Sequence, residues 1–334
     1  MKQELLNLFK GDFYFIIFKF SVNFKFLTQL DLLTKKDIIK SYLMMKTFFK
    51  LFLSTILYTI LFMAANALLP FSQEFKELTS SGDPMALFFS WVSSAWTCFS
   101  IYFVIKHTYY SGYKLYINLL FVLFFVQFFM TQIETLFFGS AFTVITKLDT
   151  ILIMFAGLFP LTGTIALMVK FFQNKNAIYE KRKIDFKEVI LKLGIIGIIY
   201  LSIYMSFGYF VAWQFEELRL FYSGTTDKLS FWGQMVNNAK SNPVIIPFQI
   251  IRGILFGLAI IPIKNMVNLN KGGFVVSVCL IYLCTAIVLI IPNVLFPNTV
   301  RIAHLIEMSS SMLIFGIIVG CILWTNDKSK KNRA

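Results

Sequence analysis

Histidine and acidic side chains are scarce in this 334-residue chain, with two His and 17 Asp plus Glu. That excludes a His-rich zinc centre, and no metal site is expected. His304-x-x-Glu307 is not the His-Glu-x-x-His pattern of zinc proteases. Glu216-Glu217-Leu218-Arg219 lacks the spacing of the membrane-protease pattern with two Glu and a later Arg. No phosphate-cradling Gly-x-x-x-x-Gly-Lys-Ser/Thr loop is present, no Gly-x-Gly-x-x-Gly follows a strand, and Gly-x-Ser-x-Gly is absent. An ATP-driven motor is therefore not encoded, and no cofactor is expected. The four cysteines, Cys98, Cys279, Cys284 and Cys321, fall inside apolar stretches without metal-like spacing. They read as small buried hydrophobes, and no disulfide framework is implied.

Charge is also in short supply. Charged residues make up 14% of the chain and hydrophobic residues 57%, with a mean hydropathy of +0.72. Soluble domains carry about 25% charged residues, so a soluble enzyme, a disordered chain and a soluble nucleic-acid binder are excluded. The net charge of +14 is assigned to membrane-flanking loops, because no basic helix or zinc-finger spacing supports a nucleic-acid partner. Forty phenylalanines beside many Ile, Lys, Tyr and Asn fit the codon bias of an AT-rich genome and receive no functional weight.

What is present in quantity is long apolar runs, near 50–70, 86–105, 115–136, 149–171, 189–211, 244–263, 274–291 and 302–324. Each suffices for a spanning helix of about 20 residues. The fold class is therefore an all-α polytopic bundle of about eight transmembrane helices, with the lipid bilayer as its surroundings. Residues 1–46 read as a cytoplasmic extension, 47–324 as the bundle and 325–334 as a basic tail. The run from Phe13 to Phe26 is broken by Lys19 and Lys25 and is not a span. Gly139, Ser140 and Thr143 dilute the stretch 137–148, which suits a short re-entrant turn.

Placing both termini in the cytoplasm puts 24 Lys and Arg inside and six outside, with Arg252 within a span. That split follows the positive-inside rule, and a bacterial plasma membrane is the expected location. Trp91, Trp213, Trp232 and Trp324 lie near span ends or in the outer loop, as interfacial anchors do.

Ionisable groups within spans are costly, so they are the best functional pointers. Glu134 lies near the outer end of the third span, in Gln132-Ile133-Glu134, with Gln127 two turns deeper. Arg252 is nine residues into the sixth span, ~13 Å deep, with Gln249 a turn above. Arg301, His304 and Glu307 recur at steps of three and share a broad helix face with Ser311. Gln214 and Glu216, where the fifth span ends, echo Gln132-x-Glu134.

These residues suggest a hydrated outer-half pocket for a small polar or ionic ligand. It would be formed by Glu134, Arg252, Arg301, His304 and Glu307, with Gln132, Gln214 and Glu216 at its edge, and roofed by the amphipathic segment 213–235. Transport or binding of a small solute or ion is the first reading. Two alternatives stay open: an intramembrane enzyme with His304 as general base acting on a lipid-linked or hydrophobic substrate, and a scaffold subunit. Other patterns read structurally. Ser90, Ser93, Thr97 and Ser100 form a packing ridge, and Gly253-x-x-x-Gly257 and Gly316-x-x-x-Gly320 suit close helix contact. Kinks are expected at Gly157, Pro160 and Gly163 and around Pro243, Pro247 and Pro262.

Lys46, Lys50, an apolar core and Ala65-Asn66-Ala67 also resemble a cleavable signal. The apolar run continues through Leu68 and Leu69, which favours an uncleaved anchor. Intact-mass measurement of the purified protein should find residues 51–69 retained. A mature chain starting just after Ala67 would leave seven spans.

Overall fold

The computed structural model describes residues 35–80, 83–139, 145–174, 186–293 and 295–324. The expected extension 1–46 therefore lies mostly outside the described residues. So do the Phe13–Phe26 run, residues 140–144 of the diluted stretch and the 325–334 tail. The chain divides into two units, Met1–Lys50 and Leu51–Ala334. The first is helical from Lys35 and exposes Ile39, Tyr42, Leu43, Met44 and Phe48.

Among the described residues the structure is helical, with no strand. The helices are α1 (Lys35–Leu68), α2 (Gln73–Ser80), α3 (Ala86–Lys106), α4 (Gly112–Leu123), α5 (Met130–Phe137), α6 (Lys147–Ala156) and α7 (Leu158–Phe172). They continue with α8 (Phe186–Phe210), α9 (Glu216–Ser223), α10 (Phe231–Ser241), α11 (Ile245–Met266), α12 (Lys271–Ile287) and α13 (Asn298–Leu323). Eight stretches are long and apolar enough to cross a membrane, and each overlaps one of the eight expected spans. The protein is a multi-pass all-α membrane bundle.

Apolar side chains face outward as well as inward. Phe88, Phe155, Ile190, Ile198, Ile251, Ile306 and Leu313 are exposed. A helix that is apolar on every side suits lipid on one face and protein on the other. Cys321 belongs to this exposed set, unlike the buried Cys98, Cys279 and Cys284, which corrects the expectation that all four are buried. Its position on α13 faces away from the core.

Two spans are interrupted. A π-helical turn over Phe124–Phe129 joins α4 to α5. Gly157 separates α6 from α7, and a Cβ there would lie 2.2 Å from the Phe128 ring. The wide turn on one helix thus seats its aromatic ring on the glycine break of the other. Asp149, in the first turn of α6, accepts from Thr146 N, Thr146 Oγ1, Ser72 N and Ser72 Oγ. It completes a capping box and ties the α1–α2 connection to α6.

Both small-residue ridges are contact faces. A Cβ on Gly253 would meet Tyr200 Cβ at 2.4 Å and Gly197 Cα at 2.9 Å, and one on Gly257 would meet Leu193 at 2.8 Å. These contacts bring α8 against α11. Gly316 and Gly320 bring α13 within 3.0 Å and 2.9 Å of Cys279 Cα and Val275 Cα by the same measure, against α12. The polar ridge of α3 also packs inward: Ser100 Oγ and Trp96 Nε1 donate to Leu280 O, and Thr59 Oγ1 donates to Ser94 Oγ.

Gly253→Ala should therefore lower stability by about 1–3 kcal/mol through overpacking. Gly194→Ala, on a helix with open space at its Cβ position, should leave it unchanged or slightly higher. Thermal unfolding in one detergent compares the two.

Candidate functional site

Helices α5, α8, α9, α11 and α13 bring ionisable and aromatic groups together within Leu51–Ala334. The centre is Arg252 on α11, 1% exposed. Its Nη1 lies 2.6 Å from Glu134 Oε1, and its Nη2 donates to Glu134 Oε2 at 2.7 Å. Nη1 also donates to Gln249 Oε1 at 2.9 Å, one turn back on α11, and Nη2 donates to Met130 O at 3.1 Å. The pair is bidentate, the geometry in which Arg and carboxylate bind best. Tyr200, Phe248 and Phe256 place rings 5.6–6.0 Å from the guanidinium, near enough for cation–π attraction.

A second carboxylate enters from α13. Glu307 Oε2 lies 3.7 Å from His304 Nδ1, with side-chain exposures of 12% and 21% respectively. His304 Nε2 is 3.0 Å from Tyr222 Oη on α9. Burial, then the charges of Glu134 and Glu307, push the Tyr222 phenol up from its ordinary value, so it stays protonated and able to donate. When Tyr222 donates to Nε2 of a neutral imidazole, the ring proton sits on Nδ1, the atom facing Glu307. Tyr204 on α8 is within electrostatic reach of Glu134, Arg252 and Glu307 alike. Both carboxylates therefore act on the same neighbours.

Of the five proposed pocket residues, Glu134 is paired with Arg252 and Glu307 with His304, and Tyr204 and Tyr222 lie within electrostatic reach of both carboxylates. Arg301 is turned elsewhere. Its Nη1 donates to Leu289 O at 2.7 Å and Ile290 O at 3.0 Å, and its Nη2 to Asn298 Oδ1. It satisfies the free carbonyls after α12, where a cation complements a helix C-terminus. The edge residues also stand apart. Among the described residues Gln132 Nε2 reaches only Thr131 Oγ1, at 3.4 Å. Gln214 donates to Tyr209 O and accepts from Lys228 Nζ. Glu216 is exposed, 3.9 Å from Arg219. The Gln-x-Glu echo falls on different local structures, a regular helix at Gln132–Glu134 and the 3₁₀ turn Ala212–Gln214 running into α9 at Gln214–Glu216.

The segment 213–223 packs on the start of α13. Leu218 is buried with Ala212, Val300 and Ala303, and Phe221 and Tyr222 lie against them. Arg219 holds the segment's shape, donating from Nε to Thr226 O and from Nη1 to Trp213 O. Gly224, in the left-handed conformation at φ 71°, ends α9. Aromatic rings wall the cluster: Phe137 stacks on Phe248 at 4.0 Å, and Phe138 and His304 both approach Tyr222. Of the expected roof, α9 covers the cluster, while α10 begins against Tyr209 and Phe210.

No known family model matches this chain, and neither a curated protein nor a solved structure does. The site must therefore be read from its own geometry.

Sequence reasoning missed Tyr200, Tyr204 and the specific role of Tyr222. A signal existed for the first two, because tyrosines four apart interrupt an otherwise mostly aliphatic span. Among the described residues no group of three or more His, Cys, Asp or Glu is placed to hold a metal ion.

Breaking a buried ion pair by removing one partner costs about 3–5 kcal/mol. Arg252 is the buried partner while the Glu134 side chain is 26% exposed, so Glu134→Leu, which strands the guanidinium, should destabilise strongly, and adding Arg252→Met should recover much of the loss. Denaturant or thermal unfolding of both singles and the double variant gives the coupling.

Proposed function

We propose that this protein is a membrane carrier or binding protein for a small solute or ion, in which the cluster takes up and releases a proton or a small monovalent cation. The observation that carries the reading is the unequal treatment of two membrane-embedded carboxylates. Glu134 is matched by Arg252 with two contacts. Glu307, nearly buried, faces only His304 among the described residues.

Charge counting supports the same conclusion. With His304 neutral, Glu134, Arg252 and Glu307 sum to one net negative charge. One proton or one monovalent cation makes the group neutral, and in a low-dielectric interior neutrality is strongly favoured. Carboxylates used this way recur in membrane pumps and transporters. In this reading Arg252 and Glu134 form the fixed part, Glu307 and His304 the exchangeable part, and Tyr222 the latch that joins α9 to it. The charge bias of the loops supports placing the cluster on the outer half of the membrane, with both termini cytoplasmic.

Purified protein reconstituted in liposomes on a solid-supported membrane should give a transient charge displacement on an acidic pH step. Glu307→Gln should abolish it with little change in melting temperature, whereas Glu134→Gln should lower the melting temperature as well, since it halves an ion pair. A silent wild-type protein, or an unchanged signal in Glu307→Gln, ends the reading.

A further inference from the structure

Gln127 takes no part in the charged cluster, yet it is buried at a depth where polar groups are costly. Three helices meet there. Tyr58 is ten residues from the end of α1 at Leu68, Thr97 eleven from the start of α3 at Ala86, and Gln127 ten from the end of α5 at Phe137. At about 1.5 Å per residue each lies about 15 Å in, close to the middle of a bilayer core. Their exposures are 4%, 0% and 5%.

Two of the three, Tyr58 and Gln127, are incompletely satisfied. Gln127 Nε2 donates to Thr97 Oγ1 at 3.4 Å, a long contact, and Thr97 Oγ1 donates to Ser93 O at 3.2 Å. The Tyr58 phenol lies beside both Gln127 and Thr97. Neither Tyr58 Oη nor Gln127 Oε1 has a hydrogen-bond partner among the described residues. Turning the Gln127 amide over exchanges an orphan oxygen for an orphan nitrogen and leaves the imbalance. A buried polar atom left unpaired bears the full cost of its lost hydration, and one shared guest satisfies both.

We propose that Tyr58, Thr97 and Gln127 form a second polar site at the bilayer midplane, holding a neutral, water-sized guest that accepts from Tyr58 Oη and donates to Gln127 Oε1. The side chains that form it are a phenol, a hydroxyl and an amide, and Cys98 and Cys284 beside Tyr58 are thiols. A bare cation would be stripped of water there with no carboxylate to replace it, so the guest is uncharged.

The site sits on a π-helical turn, a distortion frequent at functional positions. Gln127 lies seven residues before Glu134 on the same helical segment, with part of the π turn between them. Beyond Ser100 the bundle closes on Ile101, Val104, Leu119, Val122, Leu123 and Ile281, too tightly for a water molecule.

Radiolytic hydroxyl-radical labelling of the intact protein in oxygen-18 water tests the site directly, because a tyrosine beside a bound water takes up label. Tyr282 is the dry control, fully buried with its hydroxyl donating to Phe256 O at 2.8 Å. Label on Tyr58 well above that on Tyr282 is expected, and equal absence from both overturns the proposal. Tyr58→Phe and Gln127→Met should each lower the melting temperature by about 2–4 °C, with a double variant losing less than the sum. If both singles melt at or above the wild-type temperature, the atoms are true orphans and the proposal fails. Glu307→Gln, which tests the proton reading, should leave the Tyr58 label unchanged, so the two ideas fail separately.

Discussion

A guanidinium buried in an apolar bundle must find its acceptors inside the protein, and the arrangement around Arg252 follows from that requirement. Glu134, Gln249 Oε1 and Met130 O each take part of the charge. Two of these three come from the α5 segment, which fixes α5 against α11. The neighbouring residue matters as much. Gly253 has no Cβ, so α8 comes close enough for the Tyr200 ring to lie 5.6 Å from the guanidinium. A ridge that reads in sequence as generic helix packing is thus part of the scaffold that holds the charge.

Once Arg252 is committed to Glu134, the remaining charges sort themselves. Arg301 is not the counter-ion of Glu307, although both are buried on α13, because its guanidinium turns to the carbonyls after α12. Those carbonyls end a helix and have no intrahelical donor, so they compete well for it. Glu307 is left with an imidazole whose charge depends on protonation. Among the described residues one carboxylate thus has an arginine partner and the other an imidazole, and which arginine points where decides it.

The helical class and the eight spans were legible because they depend on composition and run length alone, which survive without knowledge of packing. The pairing of Arg252 with Glu134 was also within reach of the sequence, because charges at similar depth in a membrane have few other places to go. What was not legible was direction. Sequence depth put Arg301 within reach of the cluster, and only the position of residues 289–290 shows why it turns away. Gln214 and Glu216 matched Gln132 and Glu134 as letters, but the 3₁₀ turn before α9 rotates them out. Tyr200 and Tyr204 carried a signal that aromatic abundance concealed: with 40 Phe and 14 Tyr in the chain, two more rings draw no notice until an arginine is placed beside one of them.

The ways into the cluster differ in strength. On one side α9 covers it, held by the Tyr222–His304 hydrogen bond and by a small apolar patch around Leu218. On the other side the bundle interior is made of side chains that are almost wholly buried, Ile101, Val104, Leu119, Val122, Leu123 and Ile281. Opening the first costs about one net hydrogen bond and a limited apolar area; opening the second separates a core in which each aliphatic side chain contributes about 1.5–3 kcal/mol. Local opening draws on the weaker contacts first. In the proposed carrier, exchange with the surroundings therefore occurs beneath α9, where His304 both faces Glu307 and holds the Tyr222 hydroxyl, so the contact that fastens the cover is one residue away from the carboxylate it covers.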